Sequence, residues 1–297
     1  MNTLQLKYFL RTAELNSVSK AAQEAHIFAP AISNYIKALE EELGTKLFHR
    51  NRGEMLLNKN GEVMYQYGQK ILRALSNAEK EIADQNHSLS YSLKIATLTN
   101  PRLIPRLMRA FREKYPDPYL QVNQYQHYSE QLQQEMDVVI YSTEFPVQRD
   151  NLRLLYVEPI FLAVSKDHPF SQEREVEISR LKNERFIRRT EYSDFAQYVE
   201  GRYFDQMGFE PNTAIIADPA MTEIELVASN LGIIFMPQLT CFDLLDKVSL
   251  VRVKGVPMKR YINISWREQP YQPLATKLFV EFTAEFYRNL GIGEYYD

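Results

Sequence analysis

The densest run of recognition side chains in the chain is Phe28 to Lys37, FAPAISNYIK. Ser33 and Asn34 offer a hydroxyl and an amide, Lys37 an ammonium, and Phe28, Ala29, Pro30 and Ala31 only apolar surface. At the start of a helix this set suits a DNA major groove, where Asn pairs with an adenine edge and apolar groups meet the thymine methyl. A second set lies further on, with Thr97, Thr99 and Asn100, then Thr143, then Arg188, Arg189 and Thr190. Hydroxyls and an amide facing a guanidinium suit a small carboxylate or phosphate, because arginine clamps such anions through two parallel hydrogen bonds.

Nothing comparable supports catalysis. The chain has no GxSxG, P-loop, GxGxxG or HExxH. His87, His127 and His168 are far apart in sequence, and Cys241 is the single cysteine. An internal disulfide is therefore excluded, a Cys/His metal site has no support, and a reducing cytoplasm is the expected compartment. The expectation is a binding protein with no catalytic residues, metal or cofactor. An enzyme on the C-terminal region is the weaker alternative.

The elements that must position the first set are two short helices within Ser17 to Leu43. Val18, Ala21, Ala22 and Ala25 recur at helical spacing and are small enough for close approach of a second helix. His26-Ile27-Phe28 forms the turn, and Pro30 falls in the first helical turn, where a missing N–H costs nothing. Ile32, Tyr35, Ile36, Leu39 and Leu43 then mark one apolar face. This is a helix-turn-helix pattern, whose second helix enters the major groove with its N-terminal residues against base edges. Ordinary packing of two amphipathic helices is the alternative. Leu4, Leu6, Phe9, Leu10 and Ala13 supply a preceding helix that braces the pair, and Gly44 ends the second helix. Thr45 to Leu57 reads as two strands around a turn at Asn51-Arg52-Gly53.

Asn58 is a good N-cap for about thirty residues without proline, with Met64, Tyr67, Ile71, Ala74, Ala78 and Ile82 as one stripe. So long a helix needs a partner for that stripe, either a second copy or its own chain's core. From Leu93 strands alternate with helices, which predicts parallel α/β layers. Predicted strands include LKIATL, YLQVNQY, DVVIY, Leu155 to Ser165, Arg185 to Arg188, Ala214 to Ala217, Gly232 to Met236 and Arg260 to Trp266. Predicted helices include Ile104 to Tyr115, Asp194 to Met207, Met221 to Ser229 and Pro273 to Leu290. Ligands of such sheets bind outside the carboxyl ends of the strands, which is where the second set of residues falls. Thr99 and Asn100 would also precede a helix N-terminus that favours an anion. The bland alternative is that they only cap that helix and that the arginines are surface charges.

The order of residues from Leu4 to Gly61 resembles the LysR-type bacterial transcription regulators. The match is carried by Leu6, Phe9, Ala13-Glu14, Ser17-Val18, Ala21-Ala22, Pro30-Ala31, Ser33, Ile36, Leu39-Glu40, Leu43-Gly44, Leu47-Phe48, Arg50, Leu57 and Gly61. Looser landmarks follow, among them Leu103-Ile104-Pro105, Tyr115-Pro116, His168-Pro169, Met236-Pro237 and Trp266-Arg267. The resemblance implies an α/β fold class with an N-terminal winged helix-turn-helix (1–58), a long linker helix and hinge (59–88) and a periplasmic-binding-protein-like, two-lobed effector domain (89–297). Lobe 1 would hold about 91–160 and 267–297, and lobe 2 about 161–266. The strands after Gly44 become the wing, with Arg50 and Arg52 against sugar-phosphate or the minor groove, or simply solvated. Implied partners are double-stranded DNA, a small-molecule co-inducer, a second copy through residues 59–88 with further assembly to a tetramer, and RNA polymerase, with no membrane. A solute-binding sensor without productive DNA binding is the first rival. The chain departs from the family at Phe28-Ala29, usually Ser-Gln, and at Asn34, often Arg or Lys. Those departures favour an A/T-leaning site with more shape readout.

Composition bounds these readings. At 297 residues, 45% hydrophobic and 25% charged, the chain has core material for two or three units. A net charge of −3 argues against indiscriminate coating of nucleic acid. Residues 1–58 carry seven basic and six acidic side chains, a net +1. Affinity for DNA must then come from the placement of charges and from two heads acting together. No run reaches the roughly 18 apolar residues of a membrane span, and MNTLQLKYFL does not read as a secretory signal.

Overall fold

The computed structural model describes residues 1–51, 54–85, 92–189, 204–205, 207–217, 220–241, 243–255 and 258–291. It forms two compact units, Met1–His87 and Ser88–Asp297.

In the first unit, α1 (Thr3–Leu15) starts at Asn2. The Asn2 side chain accepts from Gln5 N at 2.9 Å, and the Gln5 side chain accepts from Asn2 N at 2.6 Å. This capping box satisfies two orphan donors at once. Ser17 caps α2 (Val18–Glu24) by accepting from Lys20 N. The turn passes through left-handed His26 into α3 (Ala29–Leu43), which ends at left-handed Gly44. Ala21 and Ala22 are buried against Leu6, Phe9, Ile32 and Leu39, so the small residues do let the helices close up. Leu4 and Leu43 are exposed, outside the apolar faces expected to include them, because each sits at the rim of its helix. The strands β1 (Phe48–Asn51) and β2 (Glu54–Leu57) pair antiparallel, Phe48 with Leu57 and Asn51 with Glu54.

Asn58 accepts from Gly61 N at 2.8 Å and so caps α4 (Lys59–Gln85). One face of α4 carries Gly61, Met64, Tyr65, Gly68 and Leu72 onto the core of the first unit. Met64 therefore leaves the expected stripe and packs within its own chain. Val63, Tyr67, Ile71, Leu75 and Ile82 lie exposed on other sides of the helix.

The second unit opens with β3 (Ser92–Thr97), α5 (Ile104–Lys114), β4 (Tyr119–Gln124), α6 (Glu130–Glu135) and β5 (Val138–Thr143). The fourteen-residue β6 (Leu152–Ser165) then carries the chain into a second half. That half holds β7 (Glu175–Glu177), β8 (Arg185–Arg189), β9 (Asn212–Ala217), α7 (Ala220–Ala228), β10 (Ile234–Pro237), α8 (Gln238–Cys241) and β11 (Val248–Lys254). β12 (Lys259–Trp266) and α9 (Leu274–Arg288) close the chain.

The main sheet runs β4-β3-β5-β12-β6-β11-β7, with β10 also on β6, and β8 pairs with β9 separately. Only part of it is parallel, as β3 is with β4 and β5. β12 runs antiparallel to β5 and β6, and β6 antiparallel to β10 and β11; β6 and β12 oppose each other because they cross between the halves in opposite directions. β12 pairs with β5 from Tyr261 to Trp266, so the return to the first half falls near Arg260 and not at 266. β11 adds a strand beyond those the sequence predicts, and the predicted helix Asp194 to Met207 lies mostly outside the described residues. α5 and α9 cover one face of the first half through Leu107, Phe111 and Phe279, with Phe111 edge-on to Phe279 at 5.0 Å. The second half closes around Ile160, Leu162, Phe186, Phe235 and Val251. Each such side chain contributes roughly 1.5–3 kcal/mol of burial, which fixes the frame around the site.

Candidate functional site

On the first unit, Pro30, Ser33, Asn34 and Lys37 are exposed at positions i, i+3, i+4 and i+7 of α3, one face of one helix. Phe28 is the N-cap residue of α3, makes no side-chain cap hydrogen bond and is 85% exposed. Ala29 and Ala31 are half-covered, Ala29 against the core. Lys37 lies 3.5 Å from Glu41, a contact that holds the ammonium on the exposed face. Arg50 falls in β1, though its side chain is not described, and Arg52 lies outside the described residues.

The wing is held to the helices by side chains that sequence reasoning missed. Glu40 is buried, accepting from Leu47 N at 2.9 Å and from the Lys46 ammonium at 2.7 Å. Asn58 donates to Lys46 O at 2.7 Å, and Asn60 to Thr45 Oγ1 at 2.8 Å. The signal was present in the sequence, since Glu40 sits at a core spacing of α3 where an apolar residue would be expected. A groove of about 850 Å³ lies between the helix pair and the wing, with Ser17, Ser19, Ser33, Lys37 and Lys46 on its walls beside the carboxylates of Glu40 and Glu54. Hydroxyls and ammonium groups around a groove suit phosphate oxygens, the contacts that set register on a duplex.

In the second unit the parallel pairing of β3 and β5 brings Thr97, Thr99, Asn100 and Thr143 to one end of the sheet. Their side chains are largely occupied within the protein. Thr97 donates to Thr99 O at 2.9 Å, and Thr143 donates to Phe145 O at 2.8 Å while accepting from Asn263 at 2.9 Å. Asn100 is buried with φ 52°, and its Oδ1 accepts from Arg260 at 2.7 Å. α5 begins at Ile104 with Leu103 as its N-cap residue, so Thr99 and Asn100 neither cap it nor aim an anion at its first turn.

Arg260 is bound in turn to Glu158 at 2.6 Å, and the second Glu158 oxygen accepts from Leu239 N at 2.6 Å. Burial pushes the Glu158 carboxyl up from its ordinary value, against the opposing pull of Arg260. Glu158 and Arg260 are cross-strand partners at the crossing between the halves. Both were missed, although a lone Glu within LLYVEPIFLAV was the available signal. The two candidate arginines of β8 separate cleanly. Arg189 is half-buried, with one guanidinium nitrogen 2.7 Å from Glu223 and another donating to Phe235 O at 3.0 Å, so it is a structural ion pair. Arg188 lies over the Phe204 ring at 4.8 Å, and its buried Nε has no hydrogen-bond partner among the described residues. Thr190 lies outside the described residues. Among the described residues no group of His, Cys, Asp and Glu is arranged to hold a metal ion, and no helix is long and apolar enough to cross a membrane.

Comparison with known proteins bears on both units. Residues 4–62 match the model of the bacterial regulatory helix-turn-helix protein, lysR family, and residues 86–288 match that of the LysR substrate binding domain. The HTH-type transcriptional regulator YybE of Bacillus subtilis is 28% identical over 270 residues, covering 88% of this chain and 91% of that one. A full-length single-site variant of OxyR from Pseudomonas aeruginosa superposes with a TM-score of 0.71 at 21% identity, covering 98% of this chain and 96% of OxyR. Full-length CbnR in complex with its target DNA gives 0.64 at 21% identity, covering 96% and 99%. With family models matching both units and together spanning most of its length, the chain belongs to the LysR family of bacterial helix-turn-helix regulators, with a DNA-binding head and an effector-binding domain.

Proposed function

We propose that the chain is a cytoplasmic, dimer-based transcription regulator whose DNA binding is set by a small anionic metabolite held between the halves of the second unit. The observation that carries the anion reading is Arg188, whose buried Nε lacks a hydrogen-bond partner among the described residues while its neighbour Arg189 is neutralised by Glu223. A buried guanidinium N–H left open is costly unless a ligand completes it. Thr97, Thr99 and Thr143 line the same end of the sheet but their hydroxyls already donate within the protein, so the anion reading rests on the guanidinium alone. A ligand that prefers one arrangement of the halves shifts the population of the regulator toward it, and DNA binding follows. Two copies join through α4, assembly goes on to a tetramer, and RNA polymerase is the partner met at the promoter. The ligand is bound and released unchanged. The single cysteine leaves no intramolecular disulfide to act as a switch.

The test is a thermal-shift panel of small carboxylates and phosphorylated metabolites on the full chain. One class is expected to raise the melting temperature in proportion to the logarithm of its concentration, as ligand binding to the native state requires. The effect should vanish in Arg188→Ala, and the same compound should change fluorescence anisotropy on the DNA upstream of the protein's own gene. Equal shifts in both proteins would remove Arg188 from the site.

A further inference from the structure

The first turn of α3 presents an apolar tip where a reading helix ordinarily presents hydrogen-bonding groups. Phe28, Ala29, Pro30 and Ala31 offer no side-chain donor or acceptor, and the first polar side chains, Ser33 and Asn34, come a turn later. Phe28 is 85% exposed, more than any other large apolar side chain among the described residues. It does nothing for the helix it begins, since it makes no cap hydrogen bond where a Ser would be worth about 1 kcal/mol. Ala29 packs inward, so Phe28 is the group that protrudes.

The apolar feature that a major groove displays is the methyl group at C5 of thymine. We propose that Phe28 reads a pyrimidine C5-methyl group, so that the regulator accepts thymine and 5-methylcytosine at one position of each half-site and discriminates against uracil and cytosine there. The inference rests on α3 being the DNA-facing helix. It goes further in assigning the preference to one side chain and one methyl group, not to an A·T pair. 5-Methylcytosine carries that methyl at the same place in the groove although its Watson–Crick partner is guanine. A contact with the methyl alone therefore cannot tell the two bases apart, and cytosine methylation at such a site would strengthen binding.

The experiment enriches bound duplexes from a random pool with the full-length wild type and with Phe28→Ser. The variant removes an exposed ring and restores a capping hydroxyl, so its fold is not at risk. At the position whose preference the variant loses, four duplexes carry thymine, uracil, 5-methylcytosine or cytosine on the same strand. The wild type is expected to prefer thymine over uracil and 5-methylcytosine over cytosine by the same factor, about fourfold per methyl buried. Both ratios should fall to about one in Phe28→Ser while specific binding at the other positions persists. The proposal is overturned if uracil binds as tightly as thymine, if the variant keeps the preference, or if the variant changes the sedimentation coefficient, which would mean that a second copy covers the ring. Failure of the wild type to enrich any sequence would reject the DNA-facing role of α3 itself, a result distinct from a binder indifferent to the methyl.

Discussion

Glu158 and Arg260 place opposite charges inside the sheet at the crossing, each with a second partner in Leu239 N and Asn100. A buried pair is weak evidence of net stability, but removing one member leaves the other uncompensated at a cost of about 3–5 kcal/mol. Glu158→Ala is therefore expected to lower the unfolding free energy of the second unit by that amount, read as a lower urea midpoint at an unchanged m-value. A loss under 1 kcal/mol would show that water reaches Arg260. Arg102 and Asp243 make a different pair, bidentate at 2.8 and 2.9 Å and partly open to solvent. The Arg102 guanidinium holds the Asp243 carboxyl below its ordinary 3.8. Because the folded value is the lower one, the stabilisation is present above 3.8 and disappears as pH falls through the depressed value. Discounted for solvent screening it is worth about 0.5 kcal/mol. The melting-temperature gap between wild type and Asp243→Asn should be constant from pH 7 to 5 and close toward pH 3. A gap that widened on acidification would reverse the assigned sign.

The elements most legible in the sequence are those whose signal is local. α2 and α3 announce themselves through Ser17, the paired alanines, Pro30 and Gly44, and α4 through Asn58 and its proline-free length. Topology was less legible, because pairing partners far apart in sequence decide it. No local feature of Arg260 to Trp266 says that it runs antiparallel to Val138–Thr143, and the short alternation in Val248–Lys254 was lost among neighbouring turns. The candidate anion site was legible as residue types but not as assignments, since whether Arg188 or Arg189 is neutralised depends on Glu223, more than thirty residues away. The two glycines of α4 carry the same lesson at the level of one helix. A Cβ on Gly61 would meet the Leu47 carbonyl oxygen at 2.0 Å, a backbone atom that cannot yield, whereas one on Gly68 would meet the Leu6 Cδ1 methyl at 2.8 Å, the end of a mobile side chain. Gly61→Ala should cost at least about 2 kcal/mol through displacement of β1 from α4. Gly68→Ala should fall within about 1 kcal/mol of wild type, because the gain in helix propensity offsets the crowding. Equal effects in thermal unfolding would mean that α4 can slide on the first unit.

For the whole molecule, affinity for DNA must be reconciled with a head of net charge +1. A single α3 and wing can neutralise few phosphates, and phosphate neutralisation supplies most of the affinity and all of its salt dependence. Joining two heads turns the second binding event into an intramolecular one, worth a factor of about 10²–10⁴ without any new contact. The exposed residues Val63, Tyr67, Ile71, Leu75 and Ile82 on α4, at intervals of four, four, four and seven residues, are the surface proposed for that joining. Tyr67→Lys with Ile71→Lys leaves the contacts of α4 with its own unit untouched and places two charges in the middle of the proposed seam. The double variant should sediment as a monomer at concentrations where the wild type is a dimer. Its affinity for the operator should fall by at least about 10²-fold, and the slope of log K against log salt should drop to about half, since each monomer meets half the phosphates. The slope decides between two explanations of weakened binding. A variant that lost affinity but kept the full slope would still engage both half-sites, and the dimer seam would then have to lie elsewhere than on α4.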